Sequence, residues 1–160
     1  MSRLRASLAI ASIAFLSYAA SPGAFRRQAD PIASLIQEIE AGKSNLSYSE
    51  KHGYLEAILA KLDIQASSQI LVWSKTSLQG PRISPIAPRA IYFNDHAYVG
   101  WVNGGELIEI AAIDPVEGTK MYTIRNEKQV APKFFPELTR CIACHTGPGW
   151  GPPRGFWLVR

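Results

Sequence analysis

The sequence predicts an α+β fold in which N-terminal helices pack on an antiparallel β-meander. Two observations carry this. Apolar residues recur at helical intervals up to about residue 62, and from Gln69 the period shortens toward two. Short strand-like runs then follow one another across tight-turn chemistry, so neighbours in sequence become neighbours in a sheet.

The elements follow in chain order. In "QADPIASLIQEIEAGKS", Asp30 can cap a short helix with Pro31 at its first position, and Gly42 can end it. In "SYSEKHGYLEAILAKLDI", Ser47 and Glu50 stand at capping-box spacing. Leu55, Ile58, Leu59 and Leu62 then form one apolar helical face. The helices occupy about 30–62 and the strands about 69–125. "QILVWSK" reads as the first strand, and the prolines of "LQGPRISPIAPR" forbid regular pairing after it. "AIYF", "AYVGWV", "ELIEIAAI" and "KMYTI" are further strands. Asn94-Asp95, Asn103-Gly104-Gly105 and "DPVEG" connect them, and Asn103-Gly104 is the strongest hairpin signal. Ile108, Ile110 and Ala112 share one face, which can cover the helices. Beyond the sheet, Pro132 and Pro136 bracket Phe134 and Phe135. Pro136 can start a short C-terminal helix through Glu137, Leu138 and Arg140, stopped by Gly147 and Pro148 and followed by an irregular Gly/Pro-rich tail.

The bulk properties bound the function. At 160 residues the chain suits one domain with a real core, and 47% apolar with 19% charged residues is ordinary for a globular protein. Residues 1–19 have the three parts of a secretory signal peptide: Arg3 and Arg5, the apolar run Leu8–Leu16, and small residues flanking Tyr18. That run is shorter than the ~20 residues a membrane span needs, so an uncleaved anchor is the lesser reading. The expected mature protein is residues 20–160, a single exported, periplasmic domain without a membrane span. Loss of Arg3 and Arg5 lowers the formal charge of +4. The remaining cations are scattered, which argues against a nucleic-acid partner.

The only two cysteines, Cys141 and Cys144, stand three apart with His145 directly after. On a helical turn, positions i, i+3 and i+4 share a face. The two thiols can therefore bond to the vinyl groups of one porphyrin while the imidazole takes the iron, the haem-attachment reading of C-x-x-C-H. Three other readings compete. A Cys141–Cys144 disulfide would close too small a loop to stabilise much. A thioredoxin-type dithiol wants a βαβ setting, which is missing here. A zinc site needs a fourth ligand, for which His52 or His96 could serve.

The motif Cys141-x-x-Cys144-His145 behind a signal peptide resembles that of a c-type cytochrome. The segment "SSQILVWSKTSLQGPRISPIAPRAIYFNDHAYVGWVNGG" also resembles an uncharacterised group of bacterial exported single-haem proteins, in which a similar strand-rich stretch precedes the haem motif. This second resemblance covers most of residues 60 to 147 and implies no activity. The common small cytochrome c fold carries its motif near the N-terminus with a later methionine ligand. Here the 15 residues after His145 include neither Met nor His. Cytochromes c-prime place the motif late but are four-helix bundles, against the strand pattern here. The haem chemistry thus transfers and those folds do not: one covalently bound haem c in residues 141–145, with His145 on the iron.

The sixth iron position separates electron transfer from chemistry on bound gases or peroxide. Met121 or His96 is the candidate ligand. A strand methionine is more often a core side chain, and His96 follows a hairpin turn. His52 reads as solvent-facing. An open or water-bound position, or a ligand on a downstream segment, are the alternatives. Trp150, Phe156 and Trp157 could shield a haem face, and Arg140 and Arg154 could pair with its propionates. The expectation is an electron-transfer haem protein with a redox protein partner rather than a catalyst. A haem enzyme or gas/peroxide sensor, using His96 or Arg89 as a distal group, and a cofactor-free dithiol oxidoreductase are the alternatives.

Overall fold

The computed structural model describes residues 30–114, 117–137 and 139–141. Helix α1 (Pro31–Glu40) begins where Asp30 accepts the amides of Ile32 and Ala33 at 2.9 and 3.2 Å. It ends with Gly42 at φ 67, where the Lys43 amide returns to the Glu38 carbonyl at 2.8 Å. Helix α2 (Leu55–Lys61) buries Leu55, Ile58 and Leu59, and Leu62 just past it is buried too.

The Ser47–Glu50 capping box does not form. Tyr54 occupies the N-cap without a side-chain bond, and α2 starts later than the spacing predicts. Ser49 instead accepts the His52 amide and pairs with Gly53 in an isolated bridge. Gly53 explains the delay. Its φ of 66 interrupts the helix, and a Cβ there would lie 1.9 Å from Asn126 Oδ1. That oxygen accepts the Tyr54 amide at 3.0 Å, tying the entry of α2 to the chain just after the fifth strand.

Six strands follow in simple order: β1 (Ile70–Val72), β2 (Arg89–Phe93), β3 (Ala97–Val102), β4 (Leu107–Asp114), β5 (Gly118–Arg125) and β6 (Phe134–Pro136), each antiparallel to the next. The fold is α+β and largely sheet, an antiparallel meander as the turn chemistry requires. Asn94 builds the β2–β3 turn by accepting the amides of His96 and Ala97, and its own amide group donates to the Leu62 carbonyl. Gly104 has φ 67 in the β3–β4 turn. The loop between β1 and β2 contains a 3-10 turn at Gly80–Arg82.

Strand alternation gives the sheet two faces. Ala90, Tyr92, Ala97, Val99, Ile108, Ile110, Ala112, Tyr122 and Ile124 turn toward Ile32, Leu55, Ile58 and Leu59 and make the core with them. Asp30, buried at the start of α1, accepts the Tyr122 hydroxyl and lies 3.9 Å from the Lys120 ammonium. Pro136 belongs to strand β6 instead of starting the expected helix; helical backbone is described at Arg140 and Cys141, and the rest of that expected helix lies outside the described residues. Tyr122 pairs with Pro136 and Thr123 with Phe135. A proline fits there because β6 is an edge among the described strands, where a missing N–H breaks no second ladder. Among the described residues no helix is long and apolar enough to cross a membrane. The signal-peptide reading of residues 1–19 lies outside the described residues.

Candidate haem-attachment site

Of the motif, Cys141 belongs to the described residues; Cys144, His145, Trp150, Arg154, Phe156 and Trp157 lie outside them. Arg140 and Cys141 have helical backbone, and Cys141 is half-buried. What holds this point of the chain is a carboxylate. The Glu137 amide donates to the Met121 carbonyl at 2.8 Å, extending the β5–β6 ladder one residue past β6. By alternation the Glu137 side chain then falls on the sheet face opposite the helices, beside Met121 and Thr123.

There the Thr123 hydroxyl donates to Glu137 Oε1 at 2.9 Å, and Arg140 donates through Nε to Oε2 at 3.0 Å and through a terminal nitrogen to Oε1. Glu137 and Thr123 are only 8% and 3% exposed, so their bond is buried, while Arg140 meets the carboxylate from the solvent side. These contacts hold the Arg140 guanidinium above its ordinary pKa, chiefly through the Glu137 hydrogen bonds and charge; Cys141 and Glu109 add smaller electrostatic contributions.

The same face carries a second charged group. Glu109 accepts the Ser77 hydroxyl at 2.6 Å, the Leu78 amide at 2.8 Å and the Arg89 guanidinium at 3.3 Å. Arg89 crosses the bare backbone of Gly100 to get there; a Cβ at Gly100 would touch its Cδ at 3.5 Å. Arg89 is thus engaged on the sheet, and its Nε is buried with no hydrogen-bond partner among the described residues.

The histidines and Met121 separate clearly. His52 precedes α2 and holds Glu56 Oε1 at 2.5 Å through Nδ1, with its ring edge-on to Trp101 at 5.5 Å. That hydrogen bond lowers the Glu56 pKa. Trp101 packs against the helix-facing core, so His52 lies on the side of the sheet away from Met121. His96 is exposed at the β2–β3 turn, its carbonyl accepting the Ile113 amide at 2.9 Å. It is two strands from β5, about 10 Å across the sheet. Met121 pairs with Ala111 on one side and hydrogen-bonds the Glu137 backbone on the other. The structure therefore brings together Met121, Thr123, Glu137, Arg140 and Cys141, and leaves His52 and His96 apart from them.

Sequence reasoning missed Glu137 and Thr123 as holding groups. The three-residue spacing of Glu137 and Arg140 ahead of the motif was a usable sign. Thr123 left none, because its approach to Glu137 depends on β5–β6 pairing. The group that C-x-x-C-H implies is a haem, and the residues present fit it. The donor set is two thiols and an imidazole, and Arg140 supplies a partly exposed cation beside the first thiol. Among the described residues no group of three or more His, Cys, Asp or Glu is placed to hold a metal ion by itself. Comparison with protein-family models, curated proteins and solved structures found no match.

Proposed function

We propose that this protein is an exported, periplasmic c-type cytochrome with one covalent haem c, serving electron transfer with a redox protein partner. The observation that carries the reading is Cys141-Ile142-Ala143-Cys144-His145 as the sole site of cysteine in the chain. Each thiol adds across one vinyl double bond, sulfur to one carbon and hydrogen to the other, with no net oxidation. Bound there, the haem supplies an iron that cycles between ferric and ferrous.

The chain's own residues hold and orient. His145 takes the iron and Cys141 with Cys144 fixes the ring. Glu137 and Thr123 fix the strand end from which the motif leaves, and Arg140 is set beside Cys141 to meet a carboxylate. The runner-up, a haem enzyme or gas/peroxide sensor, would use Arg89 or His96 as a distal acid–base group. Arg89 is occupied by Glu109 at 3.3 Å, which favours the carrier.

The test is the visible spectrum of the full chain produced with a haem-attachment system, oxidised, reduced, and reduced under carbon monoxide. Sharp low-spin bands unmoved by carbon monoxide are expected. Haem bands that shift with carbon monoxide would turn the reading to the enzyme or sensor. A colourless, correctly exported protein would leave the dithiol.

A further inference from the structure

Among the described strands the sheet has two edges, and they are built differently. At β6, Pro136 has no N–H to offer, and Pro132 and Lys133 stand just before the strand. Prolines and lysines of this kind keep a sheet edge from pairing further. At β1 no such group is present. No charged residue or proline occurs from Ile64 to Ser74, and Ile70, Leu71 and Trp73 are 48%, 46% and 53% exposed. An apolar edge without these safeguards is a template for another strand.

The ladder fixes which backbone groups of β1 point outward. The Asn94 amide donates to the Ala97 carbonyl, so that pair is a hydrogen-bonded one, and every second pair of β2 with β3 shares its character. Arg89, Ile91 and Phe93 therefore turn their peptide groups the other way, toward β1. The Phe93 amide accordingly meets the Ser68 hydroxyl oxygen, just before β1, at 2.9 Å. Ile70 and Val72 stand opposite Ile91 and Arg89 and take up their groups. Leu71, and Trp73 just past the strand, thus point N–H and C=O away from the sheet. Neither residue's backbone has a partner there among the described residues.

We infer that β1 is a dimer edge: two copies of this chain pair β1 against β1, antiparallel about a two-fold axis at Val72, and join their sheets into one. The inference does not depend on the haem. In this register Leu71 stands opposite Trp73 of the second copy, and each of these residues both donates and accepts one backbone bond. Every outward group of Leu71 and Trp73 is then satisfied. Leu71 lies beside the core-face residue Ala90, so alternation puts Leu71 and Trp73 on the helix side, where each covers the other's exposed side chain. The same area serves as both halves, as a two-fold contact requires. Charge favours a second copy as the occupant: the paired stretch is uncharged, and the first cation, Lys75, falls opposite Gln69 and not another lysine. The apolar area also continues past the strand. Trp73 donates through its indole nitrogen to the Pro85 carbonyl at 3.2 Å, and Ile86, the next residue, is 96% exposed.

The experiment is sedimentation of the full exported chain over a range of concentrations, with hydrogen exchange at the Leu71 and Trp73 amides. The native chain is expected to pass from monomer to dimer, with protection of both amides rising alongside. Leu71→Pro removes an outward N–H and takes no donor from the β1–β2 ladder, so the monomer should keep its far-ultraviolet circular dichroism. Its dimer dissociation constant should rise roughly thirtyfold or more, for two lost backbone bonds. Val130→Lys, at an exposed apolar site away from β1, should dimerise as the native chain does. Leu71→Glu and Trp73→Lys should each be monomeric alone, and an equal mixture should recover the dimer, because this register sets the new carboxylate opposite the new ammonium. A native chain that stays monomeric at every concentration would overturn the inference. Protected amides in that monomer would mean that the chain covers its own edge, and freely exchanging ones would leave the edge to a strand of another protein. A dimer that Leu71→Pro leaves intact would overturn it too, by placing the contact elsewhere. If Leu71→Pro does not fold, the mixture decides: no dimer there refutes the pairing.

Discussion

Thr123→Val separates the anchor of the motif from everything else in the sheet. The hydroxyl donates to Glu137 at 2.9 Å with both residues buried, and valine keeps the shape while deleting the donor. A buried hydrogen bond to a charged group contributes about 1.5–3 kcal/mol, and removing one partner leaves the carboxylate short of a donor. Arg140 compensates in part, but its side chain is 60% exposed and solvent screens that pair, so it adds little. The expected loss is therefore about 1.5–3 kcal/mol. It should appear in urea unfolding of the full chain as a lower midpoint with an unchanged slope. Glu137→Gln keeps an acceptor for Thr123 and should cost less alone. Glu137→Met, which removes the acceptor, should be clearly non-additive with Thr123→Val, because those two changes delete the same contact. A Thr123→Val protein within about 0.5 kcal/mol of native, or a double variant equal to the sum of the singles within that margin, would refute the role given to this bond.

Three further outcomes are expected. Burial, then the bond and charge of Asp30, raise the Tyr122 pKa above its ordinary 10, and Glu117 raises that of Lys120 above 10.5. Both groups keep their protons longer folded than unfolded, so stability is full below pH 10 and falls as pH rises through the folded values. Tyr122 sets a limiting slope of about 1.4 kcal/mol per pH unit, and alkaline urea titrations of native and Tyr122→Phe should differ in that slope. Asp30→Ala removes the α1 cap, worth about 1 kcal/mol, and leaves the Tyr122 hydroxyl unpaired at a cost of about 1–3 kcal/mol; thermal melts should show a large loss, and Asp30→Asn a smaller one. Gly53→Ala forces an alanine to φ 66 against Asn126, with strain of about 1–2 kcal/mol. The Tyr54–Asn126 bond goes with it, so a midpoint near the native one in urea would contradict the account of why α2 starts late.

Much of the framework was legible because it is local. Asp30 with Pro31 and Gly42 delimits α1 through capping groups no more than a few residues away. Asn94, Asn103-Gly104 and Gly118 set the hairpins, and period-two patterning placed Ile108, Ile110 and Ala112 on the core face. The Ser47–Glu50 spacing misled because a long-range contact, Asn126 against Gly53 and Tyr54, holds the backbone there out of helix. Pro136 misled in the same way: its suitability for a helix start counted for less than the open edge of β5 that Phe134–Pro136 could pair with.

By itself the sequence determined which atoms are available for chemistry. Two thiols and an imidazole at fixed spacing are a covalent fact, as is Met121 as the one methionine besides Met1, and no folding is needed to read them. Only the tertiary structure decided what stands near what. The order of six paired strands puts Thr123 under Glu137. It also sets Met121 and His52 on opposite faces of one sheet. Those relations depend on register, where a shift of one residue would turn every side chain to the other face. Register is set by burial of the whole apolar set at once, a property that no short stretch of the chain contains.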